Sequence, residues 1–537
     1  MAVKLTLDSR AIDAPVEASL FDLADQLEVR VPTSCRKQGK CRECLVEVAE
    51  GMEHLSPQAQ EEEHLGGSFR LACRCHITSD EGAITCHTLR RKQMRVEEAG
   101  TIAPLRDGKT RLDPAVVREP DGRILLEGRE IARSSEPPHG LAIDVGTTTC
   151  VVRLVRLDTG EIAAATSFEN PQRFGGSDIM ARIHYDGERK GRLLQRTLLG
   201  YLAHAIEDFP IDPLAIHEAV ITGNSTMRDI FFGLDVASIG QEPFQSLTEL
   251  EHLGGERPNT AIQASPKKLG LPMNPKGRVY GMPLISGHVG ADAAACMLAV
   301  GMPEEERTIA IMDVGTNTEL IVGNKDRIIA ASCPAGPAFE GGAINAGMPA
   351  LDGAIERISL HDDGRVECQV IGGVEPEGIC GSGLVDLLSE LMRTGRMNEK
   401  GRFDNPLIVD EAHRIEFTEA DVNHLALAKG ANVAGLEIAL KNLGLEAEDI
   451  EVFYLAGAFG RHLDIEAASR IGMLPTLDRQ RFQQIGNAAI EGATIALLSL
   501  SERRSLERLL DKTEHIRLES DPLFFDTFVE GCLFAPP

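Results

Sequence analysis

Twelve cysteines occur in this 537-residue chain, and half of them fall between Cys35 and Cys86. Within that stretch the order is Cys35-x5-Cys41-x2-Cys44, and Cys73 follows after a gap of 28 residues. Two irons bridged by sulfide need four terminal thiolates, so three donors from one tight loop and a fourth from elsewhere is a workable supply. Plant-type [2Fe–2S] centres use C-x4-C-x2-C with a distant fourth Cys; the extra residue in the first gap is a modest departure. Arg36, Lys37, Gly39, Lys40 and Arg42 fill the loop. Its backbone amides can therefore turn toward the sulfurs while side-chain charge offsets an anionic cluster. Cys73 is the preferred fourth ligand, with Cys75 its competitor. The alternative is structural zinc, but zinc sites of this kind usually pair two C-x2-C units, and the second half here reads Cys73-x-Cys75.

A second chemistry is written twice. Leu141-Ala-Ile-Asp144-Val-Gly146-Thr147-Thr148-Thr149 leads into an apolar strand from Cys150, and Ile309-Ala-Ile-Met-Asp313-Val-Gly315-Thr316-Asn317-Thr318 leads into another from Glu319. An apolar strand ending in Asp, a Gly turn, hydroxyl residues and a return strand form a phosphate loop. The Asp holds the hydration shell of Mg²⁺ or orients a water, the Gly lets backbone approach a phosphate, and the Thr groups donate to its oxygens. One such hairpin is a weak signal; two copies at domain-scale separation are a strong one. A third element, Phe453-Tyr-Leu-Ala-Gly457-Ala-Phe-Gly460-Arg-His-Leu-Asp464, reads as a strand entering a Gly turn and then a helix.

The elements that must carry these loops are legible in outline. Lys4 to Leu7 alternate as a strand, a short amphipathic helix carries Leu20, Leu23 and Leu27, and Leu45 to Val48 resume alternation, the order of a β-grasp ferredoxin. Residues 90–140 mix charge, Pro and short apolar runs, with a small hairpin expected between Gly122 and Glu130, and otherwise read as a solvated tether. Hydrophobic residues at 43% and charged residues at 26% fit a folded globular protein. A net charge of −27 argues against nucleic acid or an anionic membrane as partner. No apolar run approaches a membrane span, and the expected location is the cytoplasm. Cys150, Cys296, Cys333, Cys368 and Cys380 are expected to be buried small hydrophobes.

The two Asp-Gly-Thr loops resemble the phosphate-1 and phosphate-2 motifs of the acetate/sugar kinase, Hsp70 and actin superfamily, and the Gly457–Gly460 turn resembles its adenosine motif. With the N-terminal ferredoxin, the resemblance narrows to the reductive activators of corrinoid-dependent enzymes and covers nearly the whole chain. It extends to Asn170-Pro-Gln-Arg-Phe-Gly-Gly-Ser-Asp178, Ile221-Thr-Gly-Asn224-Ser-Thr226, Gly287-His-Val-Gly-Ala-Asp292, Gly336-Pro-Ala-Phe-Glu340 and Gly378-Ile-Cys-Gly-Ser382. Two departures stand out: a single Cys532 near the C-terminus, where some members carry extra clusters, and a short segment between ferredoxin and ATPase.

The implied fold is a β-grasp [2Fe–2S] domain over 1–92, a linker over 93–138, and a duplicated RNase H-like ATPase over 139–537 with lobes at about 139–305 and 306–537. Implied roles are cluster ligation by Cys35, Cys41, Cys44 and Cys73, and organisation of Mg²⁺ and water by Asp144 and Asp313. Gly146, Thr147, Thr148, Thr149, Gly315, Thr316 and Asn317 would contact the phosphates of ATP, and Gly457 and Gly460 its adenosine. The implied activity is ATP-dependent reduction of Co(II) to Co(I) in a corrinoid protein of a methyltransferase system, with electrons from a ferredoxin or flavoprotein; a homodimer is left open. Alternatives are a small-molecule kinase fused to a ferredoxin, an activator of another low-potential enzyme such as a 2-hydroxyacyl-CoA dehydratase, and a nucleotide-switched electron carrier.

Overall fold

The computed structural model describes residues 3–8, 10–33, 35–89, 110–188, 191–315, 317–361, 363, 365–403 and 406–535. Two units divide it: one holds 3–89, 111–283 and 496–500, the other 284–495 and 501–535.

The first unit begins with strands β1 (Val3–Leu7), β2 (Arg10–Ala14), β3 (Leu45–Glu50), β4 (Phe69–Leu71) and β5 (Ala83–Thr88), in the order β2-β1-β5-β3-β4. β1 and β5 are parallel, and the remaining pairs are antiparallel. Val3, Leu5 and Leu7 alternate inward along β1. Helix α1 (Leu20–Gln26) starts where the Ser19 hydroxyl accepts the amide of Asp22, and it buries Leu20, Phe21, Leu23 and Ala24; Leu27 caps it rather than joining it. This is the β-grasp arrangement.

Residues 116–133 form more than a hairpin. β6 (Val116–Arg118), β7 (Arg123–Leu126) and β8 (Arg129–Arg133) make a three-stranded antiparallel sheet, and just before it Asp113 exchanges backbone hydrogen bonds with Leu498 and Leu500. The rest of the linker, 90–109, lies outside the described residues.

A six-stranded sheet follows: β9 (His139–Val145), β10 (Thr149–Arg156), β11 (Ile162–Glu169), β12 (Ile216–Thr222), β13 (Ile262–Ala264) and β14 (Arg278–Gly281), ordered β11-β10-β9-β12-β14-β13. Every residue of β9 and β12 is buried, as central strands covered on both faces require. Helices α2 (Ile179–Glu188), α3 (Leu193–Glu207) and α4 (Ser225–Phe232) belong to the same unit.

The second unit repeats the design. After helix α5 (Ala291–Ala299) come β15 (Ile309–Val314), β16 (Thr318–Gly323) and β17 (Ile328–Cys333), then a small sheet of β18 (Ala354–Leu360), β19 (Val366–Val370) and β20 (Gly378–Ile379). Helix α6 (Gly381–Arg393), the hairpin β21 (Leu407–Asp410) and β22 (Ile415–Phe417), and helix α7 (Glu419–Leu443) lead to β23 (Val452–Ala456), helix α8 (Gly457–His462), β24 (Phe482–Gly486) and β25 (Thr513–His515). Its large sheet is ordered β24-β23-β15-β16-β17-β25. In both units an antiparallel three-strand meander continues on one side into two parallel strands, β9-β12-β14 in one and β15-β23-β24 in the other. The duplication seen in the loop sequences is therefore a duplication of sheets. Among the described residues no helix is long and apolar enough to cross a membrane.

One buried histidine gives the first unit an acid sensitivity. His217 on β12 is 2% exposed, and its Nδ1 lies 2.9 Å from Asn274 Nδ2. Burial, and then the neighbouring His139, push its pKa from 6.5 down to about 4. Between those values the unfolded chain binds a proton that the folded chain does not. The stability linked to His217 is therefore complete above about pH 6.5 and is lost as pH falls toward 4. The urea midpoint is expected to drop between pH 7 and pH 5, and to drop less in His217→Gln.

Candidate functional site

The cysteine loop achieves its turns with left-handed backbone at Arg36, Lys37, Gly39 and Arg42, whose φ angles lie between +53° and +74°. Such conformations cost roughly 1–3 kcal/mol each for side-chain-bearing residues; what they produce is a set of inward-facing amides. Burial raises the Cys35 thiol, but hydrogen bonds from the Cys41 backbone and side chain and from the amides of Gln38 and Lys40 outweigh it and bring it down to about 7. Cys73 is held below the usual thiol value, first by its contact with Cys44 and then, against burial, by the Gly39 amide and Arg74. Cys44 Sγ and Cys73 Sγ lie 3.3 Å apart. The four thiols thus form two pairs, Cys35 with Cys41 and Cys44 with Cys73.

Among the described residues no group of three or more His, Cys, Asp or Glu side chains is placed to hold a metal ion. Cys75 belongs elsewhere: it is fully buried, near the Arg70–Glu62 pair, whose Nε–Oε1 distance is 2.9 Å, and burial pushes its thiol up to about 12.

In the first unit the phosphate loop closes between β9 and β10. The Gly146 amide donates to the Thr149 carbonyl at 3.0 Å, and a Cβ on Gly146 would stand 2.6 Å from that oxygen. Asn170, fully buried, clamps the loop: its side-chain amide donates to the Gly146 carbonyl at 2.7 Å, and its backbone amide donates to the Thr148 carbonyl at 2.7 Å. Asn224 caps α4 through Met227 and donates to Thr147 Oγ1 at 2.9 Å. Asp144, at the end of β9, is buried. Asn170→Ala removes the clamp on a half-buried carbonyl and is expected to cost about 1 kcal/mol in chemical denaturation, with weaker nucleotide binding.

The second loop is tighter. Val145 pairs with Cys150 across the first hairpin, whereas Val314 pairs with Thr318 across the second, one residue sooner, which sets Asp313 directly opposite Glu319. Like charges in register repel, and here they gather further. Burial, then Asp292 and Asp313, then Glu340 hold the Glu319 carboxyl well above the usual carboxylate range. Cys296 Sγ lies 3.7 Å from Asp313 Oδ2. Gly457, at φ +81°, begins α8 where a Cβ would stand 2.6 Å from Asp313 Oδ1, so the glycine turn after β23 lies against the phosphate loop. Gly460 packs on Leu455, and Thr316 lies outside the described residues.

Sequence reasoning named Asp144, Asp313 and the Gly/Thr positions but gave no role to Asn170, Asn224, Asp292, Glu319 or Glu340. Four of these five sit in the quoted Gly-rich segments; Glu319 had no signal of its own. Of the five cysteines expected to be buried, Cys368 is only partly so.

The sequence matches the 2Fe-2S iron-sulfur cluster binding domain over residues 5–78, the RACo middle region over 139–305, and the C-terminal domain of RACo, the ASKHA domain, over 307–536. The chain therefore carries the RACo middle and C-terminal domains behind an iron–sulfur domain. The iron–sulfur domain binds a [2Fe–2S] cluster and the ASKHA domain binds ATP. The chain is 29% identical to the corrinoid activation enzyme RamQ of Eubacterium limosum, over 100% of this chain and 99% of that one. It is 24% identical to a Methanosarcina barkeri [Co(II) methylated amine-specific corrinoid protein] reductase, over 72% and 75% of the two chains. A solved structure of a reductive activator for corrinoid,iron-sulfur protein superposes with a TM-score of 0.69 at 28% identity, covering 99% of this chain and 98% of that one.

Proposed function

We propose that this chain is an ATP-dependent reductive activator of a corrinoid protein, returning Co(II) to Co(I) by one-electron transfer. The observation that carries the reading is the full-length correspondence, at 100% and 99% coverage, with an enzyme named for corrinoid activation. The ferredoxin, middle and ASKHA regions occur in that order in one chain.

In this reading Cys35, Cys41, Cys44 and Cys73 hold the cluster, which supplies the one-electron chemistry. Amides of Gln38, Gly39, Lys40 and Cys41 stabilise charge on the sulfurs. Gly146, Thr147, Thr148 and Thr149 bind phosphate oxygens in one unit, and Gly315, Thr316 and Asn317 do so in the other. Gly457 and Gly460 serve the adenosine side, with Gly457 also leaving room for Asp313. Asp144 and Asp313 orient Mg²⁺-bound water; Mg²⁺ keeps most of its waters and takes only one or two carboxylates, so a full cage of ligands is not required.

Nucleotide energy has a clear use. A plant-type cluster sits near −400 mV, and each 59 mV by which the corrinoid couple lies lower costs tenfold in equilibrium. A gap of roughly 200–300 mV is then roughly four to five decades, within reach of a nucleotide-driven change of complex. The electron donor is a ferredoxin or flavoprotein, and the compartment the cytoplasm. ATP turnover measured with and without a corrinoid protein tests the coupling: stimulation by the Co(II) form supports it, and phosphoryl transfer to acetate or a sugar would replace it with a kinase.

A further inference from the structure

The ferredoxin domain is fastened to the middle region through the loop that carries the cysteines. Arg196, half-buried on α3 and 155 residues from Cys41, donates through Nη2 to the Cys41 carbonyl at 2.7 Å and to Glu43 Oε1 at 2.9 Å. Arg173 lies 3.6 Å from Glu47 and 2.6 Å from Glu169, and Arg30 reaches Asp208 at 2.6 Å. The seam is not sealed: a cavity of about 380 Å³ opens beside these contacts, bounded by Lys40, Arg42, Glu61 and Arg196 among others. These partly exposed ion pairs lie beside apolar packing that the ferredoxin and middle regions share, and they are the salt-sensitive part of the attachment.

We propose that Arg196 makes docking of the ferredoxin domain on α3 depend on the oxidation state of the cluster. The inference rests on the reading that Cys41 is a cluster ligand. Reduction adds one electron, and so one negative charge, to the group beside the Cys41 carbonyl, with no bond made or broken. The guanidinium stabilises that charge, since hydrogen bonds and nearby charge tune cluster potentials. Reduction therefore tightens docking, and docking by reciprocity raises the potential. The undocked cluster is the stronger reductant: the domain is loaded with an electron while Arg196 holds it and gains reducing power when released. A tenfold difference in docking between the two oxidation states equals about 59 mV for one electron.

The test is a redox titration of the full-length, cluster-loaded protein with dithionite, followed by cluster absorbance. Arg196→Gln is expected to move the midpoint negative by about 59 mV or more, the tenfold equivalent, and Arg196→Lys, which keeps the charge, by less. Added KCl should move the wild-type midpoint in the same direction and the Gln variant less. Hydrogen exchange over residues 193–200 should be slower in the reduced than the oxidised wild type, and equal in the two states of Arg196→Gln. An intact cluster spectrum with an unchanged midpoint in Arg196→Gln overturns the proposal, as does exchange insensitive to oxidation state. A wild-type protein that binds no cluster would instead overturn the ligand assignment on which it rests.

Discussion

Asp313→Asn is expected to lower ATP turnover by on the order of 100-fold or more while leaving cluster absorbance untouched. Asn keeps the size and the backbone hydrogen bonding, so only the carboxylate charge is removed. Asp313 faces Glu319 in register and adjoins Cys296, at the loop end where the proposed Mg²⁺-bound water would be oriented. Because it stands among like charges, neutralising it should also raise the melting temperature slightly, the usual cost relation between a functional charge and stability. Glu319→Gln makes the contrast. Burial together with Asp292, Asp313 and Glu340 already favours its neutral form, so turnover should change far less than in Asp313→Asn. Parallel losses of activity and of melting temperature in Asp313→Asn would mean that the carboxylate holds the loop together instead.

Cys73→Ser is expected to lose the cluster, with iron content and visible absorbance collapsing and electron delivery abolished, whereas Cys75→Ser should retain all three. The two thiols are two residues apart but face different surroundings. Cys73 Sγ meets Cys44 Sγ at 3.3 Å, and Cys75 is buried near Arg70 and Cys86. A serine hydroxyl at the Cys75 position would cost roughly 1–3 kcal/mol if left without a partner, so its variant should unfold earlier in urea with its cluster in place. Loss of iron from Cys75→Ser and not from Cys73→Ser would reverse the assignment.

What the chain discloses before folding follows from how locally each feature is encoded. The β-grasp and duplicated ATPase folds were legible because their signals are short: three cysteines in one loop, and an Asp-Val-Gly-Thr hairpin written twice. A hairpin was expected at 122–130 and is found over 123–133, while the partner strand Val116–Arg118 was not legible, since a three-residue strand has too little pattern to read. The Asp313–Glu319 pair depends on the second hairpin closing one residue sooner than the first, a register choice that two nearly identical sequences do not reveal. Asn170 and Asn224 lay within motifs that were noted, but their work is holding carbonyl and hydroxyl groups of a loop more than 20 residues away. Arg196 was invisible for the same reason at longer range: on a helix read alone it is an ordinary solvated arginine, and only the tertiary fold brings it to Cys41.

The central claim is that nucleotide lets this chain deliver an electron to a corrinoid at a potential its own cluster does not readily reach. The most direct measurement is the absorbance of the anaerobically reduced protein mixed with a Co(II) corrinoid protein, recorded with and without Mg-ATP. The account predicts a Co(I) band that grows only when Mg-ATP is present and is absent in Asp313→Asn and Cys73→Ser. A Co(I) band of equal size without nucleotide, or none with any of several corrinoid proteins despite an intact cluster and measurable ATP turnover, would contradict it.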